Sequence, residues 1–113
     1  MMGMVSNRAH VTTHEFKQKG NNIFLLGRPS DDIGASEYLE FYHGISNSPL
    51  PEFNIDTEVH LREVLLRLHE LQLISSASPV GKGGLFFTLL RASFPQNLGF
   101  DITTDAETRR DAF

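Results

Sequence analysis

The sequence predicts an α/β (α+β) chain in which helices pack on one face of a small mixed sheet. Three observations carry that expectation. Ile23-Phe24-Leu25-Leu26 is a short apolar run closed by Gly27 and Pro29, the pattern of a strand buried on both faces. Phe100, Ile102 and Thr104 alternate with Asp101, Thr103 and Asp105, the two-residue period of a half-buried strand. Between them, two stretches carry apolar residues at helical spacing, and a glycine-rich loop leads into a third.

In chain order, residues 1–19 lack a clear hydrophobic period and are expected to form an extended N-terminal arm. The first strand is expected near 22–26. Ile33, Ala35, Tyr38, Leu39 and Tyr42 then share a helical face, and Gly44 suits the end of that helix, so the spacing predicts a helix over about 33–43. Pro49-Leu50-Pro51 forces an extended connection. Asp56 or Thr57 can cap a longer helix whose apolar side is Leu61, Val64, Leu65, Leu68 and Leu71. Glu58 with Arg62 and Glu63 with Arg67 stand in the favourable acid-first order on its wet side. A second strand is expected near 73–77 and a third near 99–104. Between these two, Leu85, Phe86, Leu89 and Leu90 predict a helix that stops before Pro95, since proline disfavours helical geometry in the residue before it.

Composition narrows the function. A chain of 113 residues is one domain's worth, and 40% hydrophobic with 21% charged residues is ordinary for a soluble globular protein. Ten Lys and Arg against 14 Asp and Glu give a net charge of −4, and the cations form no stripe, so no nucleic-acid partner is expected. Without cysteine there are no disulfides and no thiolate metal sites. No run approaches the roughly 18 apolar residues of a membrane span, so no membrane partner is expected and the cytoplasm is the default location. His10 and His14 are four apart but lack the H-E-x-x-H context, His60 and His69 are expected at the surface of the long helix, and no metal site is expected. No nucleophile, base and orienting group can be assembled from spacing, so no catalytic residue is assigned.

The most suggestive stretch is Ser76-Ala77-Ser78-Pro79-Val80-Gly81-Lys82-Gly83-Gly84-Leu85. The first amides of a helix lack intrahelical partners and carry the positive end of its dipole, so a glycine loop at a helix start lets an anion approach. Lys82, Gly83, Gly84 and Leu85 are the expected phosphate-binding residues. The competing reading is purely structural: Gly81, Gly83 and Gly84 turn the chain tightly and let the helix pack closely, with Lys82 solvated. Ser36 and Glu37, at the start of the first helix, are a possible interface or ligand site, weighed against simple helix capping with Tyr38 in the core.

Four pieces in order, Gly20-Asn21-Asn22-Ile23-Phe24-Leu25-Leu26-Gly27, Gly34-Ala35-Ser36-Glu37-Tyr38-Leu39, the Ser76 to Leu85 stretch, and Leu98-Gly99-Phe100-Asp101-Ile102, resemble the phosphoribosylformylglycinamidine synthase family of purine biosynthesis. The second resembles that family's G-G-S-E-Y-L motif and the third its S-A-H-D-x-S-D-G-G-L motif. The resemblance implies a partial AIR-synthase-like C-terminal domain over 20–113, with 1–19 as the linker from a preceding ATP-binding domain. It also implies a ligase fragment inactive alone, with ATP and magnesium belonging to the complete enzyme and no cofactor to this chain. The implied partners are the synthase's remaining domains and a phosphate-bearing ribonucleotide; self-association through an open sheet edge is expected as well. Ser78, Pro79, Gly81 and Lys82 stand where the motif has His, Asp, Ser and Asp. These departures favour an alternative, a non-catalytic remnant acting as an interaction or oligomerisation module.

Overall fold

In a computed structural model, residues 4–5, 7–8, 11–27 and 32–103 are described. The chain divides into two compact units, Met1–Ile23 with Glu63–Phe113, and Phe24–Arg62. Among the described residues three helices form: α1 (Glu37–His43), α2 (Ile55–Glu70) and α3 (Gly84–Ser93), the last followed by a 3-10 turn over Phe94–Gln96.

The expected sheet is not there. No strand occurs among the described residues, which hold one isolated parallel bridge, Thr13 to Ser76. This corrects the α/β expectation: the described chain is helical with irregular connections, and helices packed on a mixed sheet are not its architecture. Alternation and apolar runs show only that a segment suits a sheet; a ladder also needs a second segment in register. Here the backbone groups are used singly. Leu73, expected to begin a strand, donates its amide to Leu68 O at 3.0 Å and so closes the end of α2. Ala77 donates to Thr13 O at 3.1 Å. Residues 22–26 have no regular structure and exposed side chains, residues 99–103 have no regular structure, and Thr104 lies outside the described residues. With no sheet, the open sheet edge expected to drive self-association has no counterpart among the described residues.

In the unit of Phe24–Arg62, α1 is shorter than expected because its cap is Ser36, whose Oγ accepts from the Leu39 amide at 3.3 Å. Gly44, with φ 67°, ends it as anticipated, donating to Glu40 O at 3.1 Å. The turn before the helix is fixed by Gly34 N–H on Asp32 Oδ1 at 2.8 Å and by Ala35 N–H on Ser48 Oγ at 2.7 Å. Asn54 caps α2, its Oδ1 accepting from the Thr57 amide at 3.0 Å. Asn is among the strongest N-cap residues. It takes the role expected of Asp56 or Thr57, which the helix includes in its first turn.

In the other unit, α2 ends with Gln72 at φ 53° and with Leu71 and Gln72 donating back to Arg67 O and His69 O. Arg67, expected to pair with Glu63, reaches Glu70 at 3.4 Å. The buried residues of the described chain all belong to α3: Leu89, Ala92 and Thr88, whose hydroxyl donates to Gly84 O at 2.9 Å. That bond satisfies the one buried polar side chain. The N-terminal arm meets this helix, with Phe16 N–H on Ala92 O at 2.9 Å. Phe100 sits edge-on to both Phe16 and Phe86, with ring centres 6.5 and 6.0 Å away.

Candidate functional site

The glycine loop at the start of α3 is a tight turn. Gly84 donates its amide to Gly81 O at 3.0 Å. Gly83 and Gly84 both take left-handed geometry, with φ 85° and 69°, which residues bearing a Cβ adopt at a cost. Gly83 also lies directly under a ring: a Cβ there would stand 2.8 Å from Cγ and Cδ2 of Phe87. Conformation and space therefore both require glycine, which gives the structural reading of the loop a physical basis.

The electrostatics of the corner favour an anion. Gly83 is the N-cap and offers no side chain to the first amides of α3, and the first turn carries no acidic residue. The first turn of α3 itself therefore supplies no carboxylate to the positive end of the helix dipole. Arg91, in the last turn, reaches back so that its Nη2 donates to Lys82 O at 3.4 Å. This places a guanidinium at the loop beside the chain position of Lys82. The sequence reasoning missed Arg91, because seven residues separate it from Gly84 and two helical turns bring them onto one face.

The expected residues Lys82, Gly83, Gly84 and Leu85 thus form the turn that opens α3, and one of the amides in question, that of Gly84, is already used within the turn. Ser36 is occupied as the cap of α1, and Glu37 is exposed in that helix's first turn. Ser78 and Pro79 are exposed in a segment without regular structure, with the Ser78 hydroxyl on Pro79 O at 3.4 Å.

Three of the histidines, His14, His43 and His69, make local contacts, and His60 is exposed on α2. His43 packs edge-on against Tyr38 and Tyr42, with ring centres 5.0 and 5.1 Å away. His69, expected at the surface, is partly buried with Nδ1 2.8 Å from the Thr12 hydroxyl. His14 lies 3.8 Å from Glu15. His10 lies outside the described residues. Among the described residues no cluster of His, Asp and Glu could hold a metal ion, and no helix is long and apolar enough to cross a membrane.

Among the described residues, Glu15 has the one titration clearly displaced from its ordinary value. Its carboxyl is held at about 2, against 4.5, chiefly by the hydrogen bond from Lys17 at 2.5 Å, then by backbone and Thr13 hydrogen bonds. Lys17 also donates to the Thr13 hydroxyl, so the arm carries a small local network.

Comparison with known proteins places the chain. No family model matches it, and no solved structure matches it. A phosphoribosylformylglycinamidine synthase subunit PurL from Leuconostoc mesenteroides is 34% identical over 105 residues, covering 93% of this chain and 14% of the relative. The PurL subunit of Alkaliphilus metalliredigens is 31% identical over 111 residues, covering 98% of this chain and 15% of the relative. Over nearly its whole length, therefore, the chain is a relative of the phosphoribosylformylglycinamidine synthase subunit PurL, matching a stretch that makes up 14% and 15% of the two proteins compared.

Proposed function

We propose that this chain is part of a phosphoribosylformylglycinamidine synthase and contributes the phosphate-facing corner of its ribonucleotide site. The observation that carries this reading is the start of α3: left-handed glycines, no acidic residue in the first turn, and the Arg91 guanidinium drawn to the Lys82 carbonyl. Phosphate is the anion that suits such a corner, because helix-start amides and a guanidinium both donate to its oxygens. Lys82, Gly83, Gly84 and Leu85, with Arg91, are the binding residues. Ser36 and Glu37 form a second contact point, for a neighbouring domain.

The reaction of the complete enzyme is a purine-biosynthetic ligation, in which ATP and glutamine-derived ammonia turn the formylglycinamide ribonucleotide into its amidine. This chain supplies binding to that reaction and leaves the chemistry to the remaining domains. Ser78, Pro79, Gly81 and Lys82 provide neither a carboxylate for magnesium nor a histidine for proton transfer. ATP and magnesium belong to the other domains, and residues 1–19 are the linker towards the ATP-binding one. The setting is cytoplasmic.

Titration with inorganic phosphate, followed by amide NMR, tests the site. Millimolar phosphate shifts the amides of Lys82, Gly83 and Leu85, and Arg91→Ala weakens the response several-fold; unchanged spectra would refute the phosphate site.

A second reading, a non-catalytic interaction module, is favoured by those same four positions. Restoring His, Asp, Ser and Asp at 78, 79, 81 and 82 in a full-length synthase separates the two. If the unrestored protein forms amidine as fast as the restored one, the module reading fails.

A further inference from the structure

We infer that residues 12–16 of the arm are a strap that holds the glycine loop in register with the last turn of α3, and so sets how tightly that corner takes phosphate, with Phe16 as the positioning residue. The strap reaches three elements. The Thr12 hydroxyl meets His69 Nδ1, in the last turn of α2, at 2.8 Å. Thr13 O accepts the Ala77 amide at 3.1 Å, in the segment that leads into the loop. Phe16 N–H reaches Ala92 O at 2.9 Å, next in sequence to Arg91. The loop and nearly all of α3 therefore lie between two backbone bonds that leave the arm at Thr13 and Phe16, a span of at most about 10 Å.

Strength decides which contact governs the corner. Arg91 is exposed and its bond to Lys82 O is 3.4 Å, long for a hydrogen bond, so that bond alone does not hold a guanidinium on so flexible a stem. The Phe16 bond is short, and it lands on the least exposed residue described, Ala92 at 4%. Ala92 O is among the last four carbonyls of α3, which lack an intrahelical donor, and the arm supplies one. Water has little access to take the place of that donor, so losing it is felt in full. Phe16 bears on the other end of the helix as well. Its ring meets Phe100 edge-on at 6.5 Å, and Phe100 meets Phe86, in the first turn of α3, at 6.0 Å. One arm residue thus steadies both the turn that carries Arg91 and the turn that follows the loop. The inference rests on the phosphate reading for its effect on affinity, whereas the hold on Arg91 is independent of any ligand.

The experiment uses the full chain with phenyllactate in place of Phe16, which keeps the ring and turns the N–H into an ester oxygen. In NMR titrations with inorganic phosphate, read at the Gly83 and Leu85 amides, the ester weakens binding several-fold, by no more than Arg91→Ala does. Nitrogen relaxation at Arg91 Nε shows the guanidinium released. In an Arg91→Ala background the ester weakens phosphate no further, because its effect runs through that side chain. A bond that only stabilised the unit would lower the urea midpoint and leave the affinity of the folded protein as it was. Parent-like affinity in the ester, or an equal further loss with and without Arg91, would overturn the inference. If the ester loses the amide pattern of α3, Ala77→Pro, which removes the donor to Thr13 O, takes its place under the same outcomes. A parent chain that does not respond to phosphate refutes the phosphate site, and the strap then stands only if the ester still frees Arg91 Nε.

Discussion

The Thr12 hydroxyl lies 2.8 Å from His69 Nδ1, joining the arm to the end of α2 across 57 residues of sequence. With the Thr13 to Ser76 bridge and the Phe16 bond to Ala92 O, it makes the arm a structural part of its unit. Thr12→Val keeps the shape and removes the hydroxyl, leaving a partly buried ring nitrogen without this partner. The expected loss is about 1 kcal/mol, the ordinary net contribution of such a bond. Urea unfolding measures it, and hydrogen exchange at Ala77, whose amide donates to Thr13 O, quickens in parallel. Unchanged exchange at Ala77 would mean that Thr12 does not hold the arm.

Glu15 makes the arm sensitive to acid. Its carboxyl is held near 2, below its ordinary 4.5, so the charged form is favoured by the fold. Its contribution to stability is therefore complete above about 4.5 and is lost as pH falls through about 2. Lys17→Met removes the largest cause, and the Glu15 midpoint moves up towards 4.5, read from its side-chain carboxyl NMR shift. Because Lys17 and Glu15 are partly exposed, added salt moves the parent's midpoint in the same direction. A Lys17→Met midpoint that stays near 2 would assign the effect to the backbone and Thr13 instead.

Gly83 is predicted to need glycine for two separable reasons. Gly83→Ala meets both the left-handed backbone cost and the Phe87 ring, for a loss of roughly 1–3 kcal/mol. Phe87→Ala in the same chain removes the ring but keeps the Phe87 Cβ, 2.9 Å from the added methyl, and leaves the backbone cost, so the double mutant recovers only part of the loss. A double-mutant cycle from urea unfolding measures the coupling. Strict additivity would mean that the ring does not press on the loop.

What the sequence disclosed was local and what it withheld was long-range. Gly44, the stop before Pro95 and the amphipathic α3 follow from residues within a turn or two of each other, and all appear in the structure. Ser36 and Asn54 are also local signals: capping is the competing reading given for Ser36, and Asn54 caps the long helix two residues ahead of the expected Asp56. Strands are different in kind, since Ile23 to Leu26 and Phe100 to Ile102 have strand-like patterns whose outcome depends on a partner elsewhere. The Thr12 contact with His69 and the reach of Arg91 to the loop likewise depend on tertiary placement. The glycine loop was legible as a turn, but the ring of Phe87 above it was not.

Gly34 and Ala35 are neighbours that are predicted to respond in opposite directions. A Cβ on Gly34 would lie 2.1 Å from Pro49 O, a backbone atom that cannot swing aside, so Gly34→Ala displaces the turn before α1 and destabilises. Ala35 has the reverse problem. Its φ of 52° is left-handed, a conformation in which a Cβ costs about 1–2 kcal/mol and glycine pays no such penalty. The G-G-S-E-Y-L motif that this stretch resembles has glycine at that position, where this chain carries alanine. Ala35→Gly is therefore expected to stabilise the turn by about 0.5–1 kcal/mol after allowing for the freedom glycine gains in the unfolded chain. Ala35→Val, branched at Cβ, should be worse than the parent. Unfolding midpoints of the three variants, with amide exchange at Leu39 reporting the Ser36 cap, test the assignment. If Gly34→Ala and Ala35→Gly shift stability in the same direction, the left-handed geometry at Ala35 is not what limits this turn.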